Sequence, residues 1–68
     1  MEEALIKVGG MSCQGCVKNV TATLSGQPGV SSVAVSLEAG EARVGFDPAV
    51  VSVDALRAAV EAAGFDAA

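Results

Sequence analysis

The chain has 68 residues, 51% of them apolar, and a formal net charge of -4 from eight acidic and four basic side chains. This length gives room for one domain, residues 1–68, and excludes the deep pocket of a typical enzyme. Negative charge disfavours nucleic acid and anionic membrane surfaces as partners. No apolar run approaches the roughly 20 residues of a membrane helix, and the first residues lack the pattern of a signal peptide, so we expect a cytoplasmic protein without membrane insertion.

The first third of the chain predicts a strand followed by a helix. In residues 4–8, the apolar residues Ala4, Ile6 and Val8 occupy alternate positions, which indicates a strand that buries them on one face. Leu5 is expected on the outer face of this strand. Glycines at 9–10 end this strand. Apolar residues then recur at helical spacing from 17 to 24, which predicts a first helix from about Cys16 to Ser25.

The remainder of the chain predicts a β-hairpin, a second helix and a rudimentary last strand. Two alternating runs, residues 33–37 and 42–46, indicate a hairpin that turns at residues 39–40. Ser52 is suited to cap a second helix, and 65–68 leave room for a very short strand. The apolar stripe of that helix comprises Val53, Leu56, Val60 and Ala63, with Gly64 as its C′ residue. We therefore predict an α+β fold, a ferredoxin-like βαββαβ sandwich with two helices on one face of a four-stranded antiparallel sheet.

One motif carries chemistry, the segment Gly10-Met11-Ser12-Cys13-Gln14-Gly15-Cys16 between the first strand and the first helix. It places Cys13 in the loop and Cys16 in the first helical turn, so both sulfurs can converge on one point. The free N–H groups and positive dipole end of the helix favour negative charge, and we expect them to lower the pKa of both thiols. Because thiolates bind soft metal ions, the pair predicts a metal site.

The composition around the two cysteines favours Cu(I) as the bound ion. Two thiolates satisfy Cu(I), whereas structural Zn(II) normally needs four ligands, and the sequence has no histidine and no further cysteine. The residues beside the cysteines include no carboxylate that would assist Zn(II): Ser12, Gln14 and Gly15. Ag(I) and Hg(II) also accept two thiolates, so they stay open as alternatives, as does Zn(II) in vitro.

Two other interpretations of the cysteine pair do not involve a metal. The first treats the cysteines as small buried hydrophobes or an incidental disulfide. The second is a thiol redox protein, because CxxC beside a βαβ pattern is also typical of thioredoxin-like dithiols. Against the redox function, the chain is short for that fold, contains no tryptophan and has no proline between the cysteines.

Together with this motif, three further segments resemble the heavy-metal-associated domain family: Pro28-Gly29-Val30, Phe46-Asp47 and Ala62-Ala63-Gly64-Phe65. The family includes copper chaperones, mercury-binding proteins and amino-terminal domains of metal-pumping P-type ATPases. The resemblance covers nearly the whole chain, except that family members usually continue a few residues further along the last strand. It implies a ferredoxin-like fold, metal held by Cys13 and Cys16, and transfer by thiolate exchange with a dithiol of the partner.

Residues near the predicted ligands are expected to contribute less directly. Met11 is assigned to the core as a packing anchor at the base of the loop, although its thioether can bind Cu(I). The resemblance places Phe65 beside the metal, where it would shield the sulfurs, and Lys18 would draw in or partly neutralise the anionic site. Three loop residues are expected to supply flexibility and N–H···S bonds without ligating: Ser12, Gln14 and Gly15.

The leading hypothesis is a cytosolic copper chaperone without catalytic turnover, acting in copper transport and homeostasis. Its expected partner is the metal-binding domain of a copper-exporting P-type ATPase. We expect a monomer that can form metal-bridged dimers. Two alternatives share the same site: a metal-binding domain cut from such an ATPase, and a mercury carrier. The short chain opening directly onto the first strand favours a complete small protein.

Overall fold

The computed structural model describes residues 1–68 and has the predicted element order βαββαβ. The elements are β1 (Glu2–Gly9), α1 (Gln14–Ser25), β2 (Val30–Ser36), β3 (Glu41–Phe46), α2 (Val53–Ala62) and β4 (Asp66–Ala67). The four strands form one antiparallel sheet in the order β2-β3-β1-β4. The ferredoxin-like arrangement and the very short last strand are therefore confirmed. Neither helix is long and apolar enough to cross a membrane.

Strand alternation separates a buried sheet face from an exposed one. Strand β1 pairs with β3 so that Leu5 lies opposite Arg43 and Ile6 opposite Ala42. Because successive side chains point to opposite faces, Ile6 and Ala42 are fully buried, whereas Leu5 is 50% exposed. The predicted outward position of Leu5 is confirmed.

Both helices pack on the buried face and complete the core. Each contributes residues with no solvent exposure, Val20 and Leu24 from α1 and Leu56 and Val60 from α2. Burial of one such leucine stabilises the fold by about 1.5–3 kcal/mol. The sheet and the loop before α2 supply the other buried residues: Ile6, Val8, Ala42, Val44, Phe46 and Val51. This core fixes where the helix ends lie, and with them the cysteine loop.

Two predicted boundaries were wrong by a few residues. Helix α1 begins at Gln14 and not near Cys16, because Cys13 has extended backbone angles and serves as the N-cap. The apolar stripe of α2 ends at Val60, since Ala63 is the exposed C-cap residue of that helix. Gly64 comes next with a φ of 100°, the left-handed conformation expected of a C′ glycine.

Helix α2 carries the chain back toward the cysteine loop, and its start depends on one cap. The Ser52 Oγ accepts a hydrogen bond from the Ala55 N–H at 3.1 Å, as the sequence predicted. This bond satisfies one of the N–H groups that a helix start leaves without a partner.

We therefore expect Ser52→Ala to lower the free energy of unfolding by about 1 kcal/mol, because the Ala55 N–H loses its acceptor. Urea denaturation followed by circular dichroism measures this change. Ser25→Ala is the matched control, since Ser25 is an exposed serine in the last turn of α1 and caps no helix start. Equal stability of the two variants would contradict the capping role.

Candidate metal-binding site

The cysteine loop lies between the end of β1 and the start of α1. Gly10 has a φ of 92°, a left-handed conformation that lets the chain leave the strand and that residues with a side chain rarely adopt. Cys13 then has extended backbone angles, φ -152° and ψ 164°, and caps α1. Cys16 is the third residue of the helix. The loop thus places both cysteines at one helix end, as predicted.

The two sulfurs are in contact. Cys13 Sγ and Cys16 Sγ are 2.7 Å apart and share a hydrogen bond, and the Cys16 N–H donates to Cys13 Sγ at 3.3 Å. Both cysteines are free thiols; Cys13 is exposed and Cys16 partly exposed. An ion held between the sulfurs requires them to move apart, and the exposed Cys13 side chain has room to change rotamer. The pair can therefore present two sulfur ligands to one ion at the protein surface.

The start of α1 is joined to Cys13 by backbone hydrogen bonds. The Cys13 carbonyl accepts hydrogen bonds from the Cys16 N–H at 3.1 Å and from the Val17 N–H at 3.3 Å. The first turn of α1 contains no acidic side chain, so nothing on that turn opposes a further negative charge. Negative charge on the sulfurs is favoured there by the free N–H groups and the helix dipole.

The pKa of the Cys16 thiol lies below its ordinary value. The largest cause is the hydrogen bond with the Cys13 side chain, followed by a hydrogen bond from the Ser12 backbone, while desolvation acts in the opposite direction. Hydrogen bonds to the thiolate stabilise the charged form. From the sequence we expected the helix end to lower the thiol pKa. The structure shows a larger cause for Cys16, the hydrogen bond with the Cys13 side chain.

Met11 lies within the loop and Phe65 follows α2, and both are partly buried and pack against the core. The Phe65 ring lies beside Gly10, with Cδ1 3.8 Å from the position that a Cβ on Gly10 would occupy. Gly15 lies close to the ligands, since a Cβ there would stand 3.8 Å from Cys13 Sγ. Ser12 and Gln14 are exposed. Of these residues, Phe65 comes from outside the loop to contact it, and Cys13 and Cys16 bring their sulfurs together.

Lys18 has a feature that the sequence did not reveal. The other three basic side chains form ion pairs within the molecule, whereas Lys18 forms none and is exposed one turn after the cysteine loop. The three pairs are Lys7 with Glu41, Arg43 with Glu3, and Arg57 with Asp54. Lys18 is therefore the one basic side chain without an internal ion pair.

No histidine, carboxylate or further cysteine joins the two sulfurs. Nowhere in the molecule do three or more histidine, cysteine, aspartate or glutamate side chains gather in a position to hold a metal ion. The arrangement fits a soft ion that accepts two thiolates and does not offer the four ligands of a closed zinc site.

In the reduced, metal-free protein, we expect Cys16 to react with iodoacetamide as a thiolate at a lower pH than in the urea-unfolded chain. Cys13→Ala removes the largest cause of the lowered pKa, so the pKa of Cys16 should move back up while the Ser12 hydrogen bond remains. Alkylation rates from about pH 5 to about pH 10, followed by peptide mass spectrometry, check both shifts.

The same pKa shift predicts how stability depends on pH. Because the folded-state pKa of Cys16 is below the unfolded-state pKa, its ionisation contributes stability that is present above the unfolded pKa and lost as pH falls through the folded pKa. Across that window, the free energy of unfolding should rise with pH more steeply in the wild type than in Cys16→Ser. If the free energy of unfolding varied with pH in the same way in the wild type and in Cys16→Ser, the Cys16 pKa would be the same in the folded and unfolded states, which would contradict this prediction.

Comparison with known proteins identifies the family. The heavy-metal-associated domain model matches residues 5–66. The chain is 47% identical over 68 residues to the copper chaperone CopZ of Bacillus subtilis (strain 168), covering 100% of this chain and 99% of CopZ. It is 43% identical over 67 residues to copper-transporting ATPase 1 of Mus musculus, covering 98% of this chain but only 4% of that ATPase.

A solved structure shows the same fold. The copper binding domain from HMA7, a P-type ATPase, superposes with a TM-score of 0.99 at 35% sequence identity, covering 100% of this chain and 92% of that domain. The agreement extends over the cysteine loop, both helices and the short last strand. With a matching family model, close relatives along its whole length and this shared fold, the chain belongs to the heavy-metal-associated domain family.

Proposed function

We propose that this protein is a copper chaperone, which binds one Cu(I) ion through Cys13 and Cys16 and passes it to the metal-binding domain of a copper-transporting P-type ATPase. The observation that carries the proposal is a pair of free thiols in contact at the exposed start of α1, with no histidine, carboxylate or further cysteine beside them. The similarity to CopZ, which spans nearly the full length of both proteins, supports copper as the cargo.

In the proposed binding sequence, the ion first meets Cys16. Cys16, whose pKa is lowered, supplies the first thiolate, and the exposed Cys13 supplies the second as its side chain turns outward. Each thiol loses its proton to solvent, so two thiolates and one Cu(I) ion form a complex with one net negative charge. The N–H groups at the start of α1 compensate that charge. Ag(I) and Hg(II) fit the same two sulfurs, so supply in the cell would decide between them and Cu(I).

Transfer proceeds by exchange of ligands at the protein surface. A thiolate of the partner adds to the two-coordinate ion, and the exposed Cys13 is the ligand that can leave with least rearrangement. A second partner thiolate then replaces Cys16, so the ion is never free in solution. A closed four-ligand site would hold the metal too firmly for this exchange. The protein therefore acts as a carrier without catalytic turnover.

The proposed role requires a reducing compartment, because an oxidised pair cannot supply two thiolates. This supports a cytoplasmic location, where thiols are kept reduced. Both Phe65 and Met11 pack on the core. We assign Phe65 the role of limiting access of water and oxidants to the sulfurs, and Met11 the role of anchoring the base of the loop.

A second candidate is a metal-accepting domain of a copper-transporting ATPase. The similarity to ATPase 1 of the mouse over 67 residues, and the fold shared with the HMA7 domain, favour it. Both candidates use the same site and differ in the coding sequence that surrounds it in the gene. A reading frame that continues into membrane-spanning helices would support the ATPase, and one that ends with this domain would support the chaperone.

We expect Cys13→Ser and Cys16→Ser each to weaken Cu(I) binding by at least about 100-fold, because a hydroxyl cannot replace a soft thiolate. Anaerobic titration of the reduced protein against a chromophoric Cu(I) chelator measures the affinity. Ser25→Ala, which keeps both sulfurs, is the control and should bind one Cu(I) per chain like the wild type. Unchanged affinity in either cysteine variant would remove that residue from the site.

Lys18→Gln tests whether the charge of Lys18 speeds the encounter with the partner domain. Since Lys18 is the only basic side chain without an internal ion pair, its loss should slow Cu(I) transfer to an acidic ATPase domain by about 3- to 10-fold at low salt. The affinity for Cu(I) should change little, and the difference should vanish at high salt.

Arg57→Gln is the matched control for Lys18→Gln, because it removes the same charge from α2, where Arg57 is already paired with Asp54. Stopped-flow measurement of transfer at several salt concentrations separates the two variants. Equal slowing by both would assign the effect to net charge and not to a contact made by Lys18.

A further inference from the structure

The two thiols lie closer together than a linear ion requires. Cys13 Sγ and Cys16 Sγ are 2.7 Å apart, and both thiols are free. With bonds of about 2.3 Å, the length of Zn–S, linear coordination separates two sulfurs by about 4.6 Å and right-angled coordination by about 3.3 Å. The observed separation is therefore nearer to that of a bent complex than to that of a linear one.

The cap of α1 holds the sulfurs in this arrangement. The Cys16 N–H donates to Cys13 Sγ at 3.3 Å, and this bond makes Cys13 the cap of the helix. A linear ion turns the Cys13 side chain outward and lengthens the bond, whereas a bent complex can keep it. A ligand that accepts the two sulfurs close together therefore binds without removing the acceptor from the helix start.

The surroundings of the pair leave a third bonding position to the ligand itself. No histidine, carboxylate or further cysteine joins the two sulfurs. Gly15 has no side chain, and a Cβ there would stand 3.8 Å from Cys13 Sγ, so that side of the sulfur is uncovered. Cys13 is itself exposed. The site thus suits a pyramidal atom that takes two sulfurs and already carries its third substituent.

We propose that Cys13 and Cys16 also bind trivalent arsenic that carries one organic group, with two sulfurs and one carbon filling its three positions. The inference rests on the same dithiol as the proposed function. In the reaction, an arsonous acid, R–As(OH)2, condenses with the two thiols. Two As–S bonds form and two As–O bonds break, and the thiol protons leave with the hydroxyl groups as two molecules of water. No electron is transferred, so arsenic stays trivalent.

The arsenical and Cu(I) compete for the dithiol, because each occupies both sulfurs. Cu(I) and two thiolates form a complex with one net negative charge, which adds to a protein whose net charge is already -4. The arsenical complex is uncharged and needs no compensation from the helix start. A chain that carries the arsenical therefore has no thiol left for copper and cannot be loaded.

The experiment uses the reduced, metal-free chain and phenylarsine oxide, which hydrates to an arsonous acid. At one equivalent under anaerobic conditions, the intact mass should show one phenylarsenic group per chain. Titration with a disulfide reagent should find both thiols consumed, and the product should no longer take up Cu(I). An unmodified mass, or one thiol still free in the adduct, would overturn the proposal.

Single cysteine variants test whether both sulfurs hold the arsenic. Linking two ligands in one chain raises the effective concentration of the second. Cys13→Ser and Cys16→Ser should therefore each bind phenylarsine oxide at least about 100-fold more weakly than the wild type. Ser25→Ala keeps both sulfurs and should bind like the wild type. Unchanged affinity in either cysteine variant would overturn the two-sulfur complex.

Urea denaturation tests whether the fold prepares the pair for this ligand. A ligand that binds the folded chain more tightly than the unfolded chain stabilises the fold. The midpoint of unfolding, followed by circular dichroism, should therefore rise when phenylarsine oxide is present. The double variant Cys13→Ser with Cys16→Ser is the control and should show no rise. An unchanged or lower midpoint in the wild type would overturn the claim that the capped geometry favours this ligand.

A parallel titration with Cu(I) separates this inference from the proposed function. A chain that binds one Cu(I) but no phenylarsine oxide would overturn the arsenical site and leave the carrier standing. A chain that binds phenylarsine oxide through both sulfurs but no Cu(I) would support the arsenical site and contradict the copper chaperone.

Discussion

The hydrogen bond from the Cys16 N–H to Cys13 Sγ is the interaction on which the site depends. It makes the sulfur of one predicted ligand the cap of the helix that carries the other. A helix start needs an acceptor for its free N–H groups, and the Cys13 sulfur is that acceptor here. Capping therefore holds the Cys13 sulfur beside the helix turn that carries Cys16. This coupling explains how a domain this small can prepare two ligands without a buried polar network.

The remainder of the fold holds this helix end in place. Val20 and Leu24 anchor α1 in a core shared with the sheet, and α2 returns the chain so that Phe65 lies beside Gly10. The core contains no buried polar or charged residue, so no core contact has to break when an ion leaves the two sulfurs. An exposed dithiol on a rigid apolar support can release its cargo without unfolding. Relatives of this chain include both a separate copper chaperone and a copper-transporting ATPase, so an exposed dithiol on this core suits either kind of protein.

Much of this fold could be predicted from periodicity, because the strands and helices are amphipathic and are separated by glycine and proline. Helix α1 began earlier than predicted because a cysteine serves as its cap, and cysteine is not among the residues that usually signal a helix start. The pair Cys13 and Cys16 could be predicted from spacing. The lack of an ion pair at Lys18 could not be predicted from the sequence. It is evident only because the folded chain pairs the other three basic side chains with acidic ones: Lys7, Arg43 and Arg57.

The coordination of the copper ion is the most direct test of the proposed carrier. X-ray absorption at the copper edge, on the monomeric protein loaded anaerobically with one Cu(I) per chain and without added thiols, counts the atoms bound to the ion. Two thiolates on one helix end predict two sulfur neighbours and no nitrogen or oxygen neighbour. A third protein ligand in the monomer, or a copper ion with fewer than two sulfurs, would contradict a carrier site made by Cys13 and Cys16 alone.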